Sequence, residues 1–477
     1  MNRFSFHFFC GAVLAFVFSL FAAPVLAQET FAYPQDFPPR VLQNIGSVVL
    51  NSVAPTGSDT GKSTSLSGNN VTVNSGTISG DIYGAHNIKD SEATTGNRVT
   101  VSGGTVSGWV YGADSRVATN NTVIIKGGTM MRVLGGNGNG YGSVASGNNV
   151  FISGGTINDW VIGGEAWVDP NDLDNPSSMN NSITISGGTV NGGICGGQID
   201  SPFSTPNGTV ADNTVTILGA PIFGSNVGLY GGCSYGLKDG KMLRNTLNIH
   251  SSGLIVGGMG SFQNLNFYLP VTMKTGDAML IVAGTADIAD VTTINVSLDG
   301  VGPALQTGNR YILMTALKGS FGNLTLPAMT RVVGNYTSLL VIEGNSLVLI
   351  IGAKQPGPTR DYTGQWFNVS EDNWGLSIFQ NFPGKPLTIF VPWYTYDSNG
   401  KAAWYVFQGD SWSADDVVSA DVYRYTGPNW GTTPYDNSKI TNTKVGTAKL
   451  TFTSATTVHF EYTVDGAGRS VDLQKLQ

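Results

Sequence analysis

The sequence predicts an all-β protein in two parts: a right-handed parallel β-helix with caps, followed by a small antiparallel β barrel or sandwich. Three observations lead there. One phrase recurs seven times between residues 69 and 253, with its aliphatic residues two apart. Gly supplies 64 of 477 residues while charged residues make up only 12%. Six of the nine Trp fall between residues 366 and 430, after the repeat has ended.

The repeated phrase reads NNVTVNSGT from Asn69, NRVTVSGGT from Asn97, NTVIIKGGT from Asn121, NNVFISGGT from Asn148 and NSITISGGT from Asn181. It decays to NTVTILGAP from Asn213 and NTLNIHSSG from Asn245. The Asn positions are 28, 24, 27, 33, 32 and 32 residues apart, a period that belongs to a solenoid. Pairs such as Val99/Val101, Val123/Ile125 and Ile183/Ile185 carry the two-residue period of a strand. A second apolar stretch follows in each repeat, with an aliphatic position at Ile82, Val110, Val133, Val161 and Ile194. Gly pairs between the stretches suit sharp turns. Each repeat is therefore one coil, with equivalent residues about 4.8 Å apart along the axis and each Asn over the last, amide bonded to amide.

The ends of the chain read differently. MNR, an apolar run and Val25-Leu26-Ala27 form a secretory signal over residues 1–27, cut before Gln28; an uncleaved membrane anchor is the alternative reading. No other long apolar run follows. Regular Val/Ile columns argue against disorder despite the low charge. The net charge of −7 and pI near 5.1 give no electrostatic case for nucleic acid. Cys10 leaves with the signal, and Cys195 and Cys233 fall in neighbouring coils three positions out of register. That offset favours two buried thiols over a disulfide. No CxxC or His cluster suggests a metal, and no cofactor is expected.

Residues 28–68 are assigned to an N-terminal cap, because an open rung is an unpaired strand edge. Residues 69–261 form the coils, with loops of varying length on one side. Asp169, Asp172 and Asp174 share one such loop, but it lacks the Gly and terminal Glu of a calcium loop. From FQNLNFYLP at Phe262 the pattern changes to longer strands, a C-terminal β cap over 262–355 whose last hairpin turns at Glu343-Gly344-Asn345.

The order of NxVxIxGGTV coils, then FQNLNFYLP, then AMLIVAGTADI resembles the passenger region of bacterial autotransporter adhesins over roughly residues 69–352. The resemblance implies an adhesive β-helix outside the cell. It stops short of the outer-membrane barrel that ends those proteins: about 125 residues follow, without a terminal aromatic, so self-transport is not implied. After a linker at 356–360, residues 358–477 resemble a Trp-rich exported proteobacterial module of the form YTGxWW…GWGLxL…IFAxWFTYDxxGxPxWY, a resemblance that implies no chemistry. Alternating strands and the turn at Asp397-Ser398-Asn399-Gly400 suggest a small antiparallel barrel or sandwich over 361–477.

Two sets of residues are candidate binding sites. In the coils, Asp81, Trp109, Arg132, Trp160 and Gly193 share one column, which alternation with Ile82, Val110, Val133, Val161 and Ile194 turns outward. Trp spaced along a sheet stacks on sugar rings while charged neighbours bind hydroxyls. Folding of these Trp against a turn is the competing reading. In the terminal module Trp366, Trp374, Trp393, Tyr394, Tyr396 and Trp404 are candidates. Trp393 and Thr395 take one side of their strand and Tyr394 and Tyr396 the other, so about half of the rings are free.

Catalysis has little support in the sequence. The outward positions Thr72, Thr100, Ile124, Phe151, Thr184, Thr216 and Asn248 hold no recurring acid, and His86, His250 and His459 have no partner nearby in sequence. The expected function is that of an exported, adhesin-like binding protein at the cell surface, outside the cell or in the periplasm. Its helix serves as a rigid display scaffold, its terminal module as a recognition unit, and a polysaccharide or cell-surface ligand as its partner. A polysaccharide lyase or hydrolase and a structural envelope protein are the alternatives.

Overall fold

The structure, a computed structural model, describes residues 47–50, 67–87, 93–167, 175–205, 208–237, 241–318, 321, 331–380, 382, 387–429, 431 and 434–476. The predicted signal, most of the N-terminal cap, the three loop aspartates and Trp430 lie outside the described residues. The protein is all-β, with 61% of the described residues in strands. A parallel β-helix of about eight turns runs from residue 70 to 318, and a closed eight-stranded antiparallel barrel follows.

Each coil contributes to three sheets. The coil beginning at Asn97 shows the pattern: Arg98–Val101 on the first face, Thr105–Tyr111 on the second, then Asp114–Ser115, then Val117–Thr119 on the third. Parallel pairing is in register from coil to coil, Val99 with Val123 and Val110 with Val133. The aliphatic columns point inward and are fully buried, forming one core from Val71 to Ile351. Removing each such side chain from water stabilises the fold by about 1.5–3 kcal/mol.

The Asn repeat builds a second internal column. Asn69, Asn97, Asn121, Asn148, Asn181 and Asn213 each donate Nδ2 to the Oδ1 of the next Asn at 2.8–3.1 Å. The same Oδ1 also accepts the backbone N–H of the Asn below. Gln263 closes the stack by accepting from Asn245 N at 2.9 Å. The residue before each Asn is left-handed: Gly68, Gly96, Asn120, Gly147, Asn180, Asp212 and Arg244 have φ between 55° and 74°. Gly, Asn and Asp tolerate that region, which explains six of the seven residues at this turn.

Coiling outlasts the repeat. Beyond Phe262, Asn264–Leu269 and Thr293–Leu298 still pair in parallel on the first face, and Ala278–Thr285 pairs in parallel with Arg310–Lys318. The antiparallel hairpin Tyr336–Glu343 and Ser346–Lys354, turning at Gly344 (φ 59°), then covers the end. At the other end Ser47–Leu50 pairs in parallel with Asn70–Val73.

The end of the cap hairpin and the linker are both tied to the barrel. Lys354 Nζ reaches Asp415 Oδ2 at 2.7 Å, and Thr359 N donates to Asp416 Oδ1 at 2.7 Å. Barrel strands are β1 (Gly364–Asn368), β2 (Glu371–Ile378), β3 (Ile389–Tyr396), β4 (Ala402–Gly409), β5 (Val417–Thr426), β6 (Thr441–Phe452), β7 (Thr457–Val464) and β8 (Ala467–Lys475). Their order is β4-β3-β2-β1-β8-β7-β6-β5, and pairing of β5 with β4 through Val406 and Tyr423 closes the circle, so the module is a barrel and not a sandwich.

Candidate functional site

In the coils, the column Asp81, Trp109, Arg132, Trp160 and Gly193 is in register, as Arg132 pairs with Trp109 and its neighbours Val133, Val161 and Ile194 pair in turn. It faces away from the main core. None of its side chains stands free, however. Arg132 lies 4.1 Å over the Trp109 ring and bonds to Asp159 Oδ2 at 2.8 Å. Asp81 accepts from Trp109 N at 2.7 Å and from Tyr83 OH at 3.0 Å. Trp160 covers Gly193, where an added Cβ would come within 2.4 Å of its ring. The Trp rings thus fold against the sheet.

They pack at a corner that the strand period does not reveal, against a buried apolar cluster of Tyr83, Tyr111, Leu134, Ile162 and Cys195. Each coil bends sharply after its inward aliphatic residue, so two columns three residues apart face each other. One is Tyr83, Tyr111, Leu134, Ile162, Cys195 and Tyr230; the other is His86, Asp114, Asn137, Glu165, Gln198 and Cys233. The signal is an ungapped alignment, since IYGAH, VYGAD, VLGGN, VIGGE, ICGGQ and LYGGC place the second column four residues after the inward aliphatic.

This geometry also corrects the expectation of two thiols. Cys195 and Cys233 are bonded, with Cα atoms 6.1 Å apart. Along a straight strand three residues would separate the two by about 10 Å. Here one residue comes from each side of the corner, and the bend cancels the offset.

The column from His86 to Gln198 is a polar ladder. His86 Nδ1 lies 3.0 Å from Asp114 Oδ2, Asn137 Nδ2 donates to Asp114 Oδ1 at 2.9 Å, and Gln198 Nε2 donates to Glu165 Oε1 at 3.1 Å. Burial pushes the Glu165 carboxyl up to about 7, helped by Asp200 and Asp114 and opposed by Arg132. Burial likewise raises Asp200, with Arg132 again opposing. The Tyr111 hydroxyl is held well above its ordinary range by burial and by the nearby Tyr83, Asp114, Asp81 and Glu165.

In the barrel the Trp separate into two classes. Trp366 and Trp393 are 1% and 2% exposed and belong to the core, which removes them as ligand platforms. Trp366 Nε1 donates to Tyr362 O at 3.0 Å, and Trp393 packs edge-on to Phe460 with centroids 5.3 Å apart. Trp374 is half-buried, its Nε1 bonded to Glu371 Oε2 at 3.0 Å and the Arg469 guanidinium 5.9 Å from its ring. A barrel of this diameter is filled by its inward aromatics, which accounts for their number.

The outward face of β3, β4 and β5 is different. Tyr394, Tyr396 and Trp404 are 52%, 48% and 51% exposed. Tyr394 lies directly opposite Trp404 in the ladder, and Tyr425 lies beside Trp404 with rings 6.2 Å apart and 12° from parallel. At the edge of this patch Lys444 Nζ meets Asp421 Oδ1 at 2.7 Å. Four aromatic rings on three adjacent strands thus share one outward face beside a polar pair.

A depression of about 780 Å³ near the C-terminal end of the helix is lined by Val271, Lys274, Thr275, Gln306, Asn309 and Tyr311 among others, and has no acid pair. Among the described residues no group of His, Cys, Asp and Glu is arranged to hold a metal, and no helix is long and apolar enough to cross a membrane. No family model, curated protein or solved structure matches the chain.

Proposed function

We propose that this chain is an exported, adhesin-like binding protein whose barrel engages a carbohydrate of a cell surface or wall while the β-helix holds it at a distance. One observation carries the reading: Tyr394, Tyr396, Trp404 and Tyr425 lie together on the outer face of three adjacent strands, while Trp366, Trp393 and Phe460 fill the barrel core. Aromatic faces contact the apolar faces of pyranose rings, and the Tyr hydroxyls and the Asp421–Lys444 pair suit their hydroxyl edges. The passenger-like order of the coils and the signal-like residues 1–27 support export.

The test is retention of the chain lacking residues 1–27 on immobilised bacterial and plant polysaccharides, with Trp404→Ala and Tyr394→Ala alongside. Retention by the parent chain and its loss in both variants is the expected result. Equal retention of all three would remove the aromatic patch from the reading. A polysaccharide-active enzyme is the second reading, favoured by a Glu165 carboxyl poised near neutrality close to Asp200. Release of shortened chains in the same assay, abolished by Glu165→Gln, would replace binding with catalysis at Glu165.

A further inference from the structure

On the opposite side of the barrel, three side chains stand in an arrangement that neither the aromatic patch nor the polar ladder of the coils uses. His459 of β7 pairs directly with Asp472 of β8, and Ser470 lies two residues earlier on β8, on the same outward face. His459 Nδ1 is 2.6 Å from Asp472 Oδ1, and Ser470 Oγ is 2.7 Å from His459 Nε2. Each ring nitrogen thus has a separate partner. In the neutral tautomer that donates Nδ1–H to this carboxylate, Nε2 is the acceptor that faces the serine hydroxyl. These are the contacts and the atom roles of a serine nucleophile, a histidine base and an orienting aspartate. The ladder sets the spacing, because cross-strand and diagonal neighbours on one face of an antiparallel pair are held by two backbones.

We propose that Ser470 is a nucleophile for acyl transfer, with His459 as its base and Asp472 as a positioning residue, acting on O-acyl esters. In the reaction Ser470 Oγ adds to the ester carbonyl carbon while its proton passes to His459 Nε2. The bond from that carbon to the leaving oxygen breaks, and the leaving alcohol takes the proton. Water, giving its proton to the same imidazole, then cleaves the acyl-serine to a carboxylic acid and restores the hydroxyl.

The surroundings define the substrate. Ser470 and Asp472 are exposed and His459 is half-buried, on an open sheet with no walls, so the ester must be accessible on a chain that lies across the face or on a small molecule. Acyl groups on an extended polysaccharide or an aryl acetate fit that demand. Beside Ser470 in the ladder is Glu461, and the cation of the row is Lys449, bonded to Glu461 Oε2 at 2.8 Å. With the strand amides occupied by the ladder, the acceleration comes from the base, about 10²–10⁴-fold. The inference stands apart from carbohydrate binding by the aromatic patch and survives if that fails.

The experiment treats the chain lacking residues 1–27 with a fluorophosphonate probe and maps the adduct by peptide mass, with p-nitrophenyl acetate hydrolysis as a second readout. One adduct per chain at Ser470 is expected, absent in Ser470→Ala and formed about 10²-fold more slowly in His459→Gln. Asp472→Asn should slow it as well, and Asp472→Glu should restore it, which a merely structural carboxylate would not require. No adduct at Ser470 in the parent chain, or an unchanged rate in His459→Gln, overturns the proposal. The three residues lie on the outer face, so the variants keep the barrel core intact.

Discussion

Gln198 donates its side-chain amide to Glu165 Oε1 from the next coil at 3.1 Å, while on the other side Glu165 is in register with Asn137, whose buried Oδ1 has no hydrogen-bond partner. A protonated Glu165 is the neighbour able to supply that missing donor. The raised carboxyl, near 7 against an ordinary 4.5, agrees with this. The sign follows from linkage: between those values the folded state binds the extra proton, so stability is full below about 4.5 and falls as pH rises through about 7. The whole effect is on the order of 3 kcal/mol. Burial is the main cause, and of the charged groups near the same carboxyl Asp200 and Asp114 raise it further while Arg132 lowers it. Glu165→Gln keeps the shape of the neutral acid and should unfold at a higher denaturant concentration than the parent at pH 8, with the two alike at pH 4.5. Equal midpoints at both pH values would mean that Glu165 is not the titrating group.

The Asn ladder makes a second prediction. Asn181 Oδ1 accepts both Asn148 N and Asn148 Nδ2 at 3.0 Å, in a column that water does not reach. Asn181→Ala strands both donors, at a cost of about 2–5 kcal/mol. Asn248 belongs to an outer ladder, donating to Thr216 Oγ1 at 3.1 Å and accepting from Asn266 at 2.8 Å. Its partners can turn to water, so Asn248→Ala should cost below about 1 kcal/mol. Urea midpoints of the two variants separate the cases, and similar losses would deny the inner ladder a special role.

What the sequence revealed was whatever depends on strand period alone. The inward Val/Ile columns, the Asn stack, and the split between Trp393 and Tyr394 all follow from alternation, and each is found. What it hid depends on where the chain bends or which strands meet. Cys195 faces Cys233, and Tyr111 lies near Asp114, only because of the corner after each inward aliphatic. The burial of Trp366 requires knowing that the module closes into a barrel. Ser470, Asp472 and His459 meet through the β7–β8 register, although the hairpin turn lies within a dozen residues of each.

The disulfide supplies the third prediction. It closes a segment with a sequence separation of 38 and ties the two sides of the corner together. In the chain-entropy account, a loop of that size stabilises the fold by about 4 kcal/mol. Cys195→Ser combined with Cys233→Ser should therefore lower the denaturation midpoint, and reductant should bring the parent chain down to the variant while leaving the variant unchanged. A parent chain indifferent to reductant, with two titratable thiols after unfolding, would show that the bond does not form.

The two classes of Trp in the barrel respond in opposite ways, which decides how any loss of binding is to be read. Trp393 is packed against Tyr405, Phe460 and Tyr462, with centroids 4.5–5.3 Å away. Removing its ring leaves a cavity that the closed barrel cannot fill, at a cost of about 3–5 kcal/mol. Trp404 rests on Tyr425 at the surface, and Trp404→Ala should change stability by about 1 kcal/mol or less. Thermal unfolding of the two variants is thus expected to diverge widely, with Trp393→Ala melting far below the parent. Loss of ligand retention in Trp404→Ala at an unchanged melting temperature then reports on the patch itself. The same loss in Trp393→Ala reports only that the barrel has come apart.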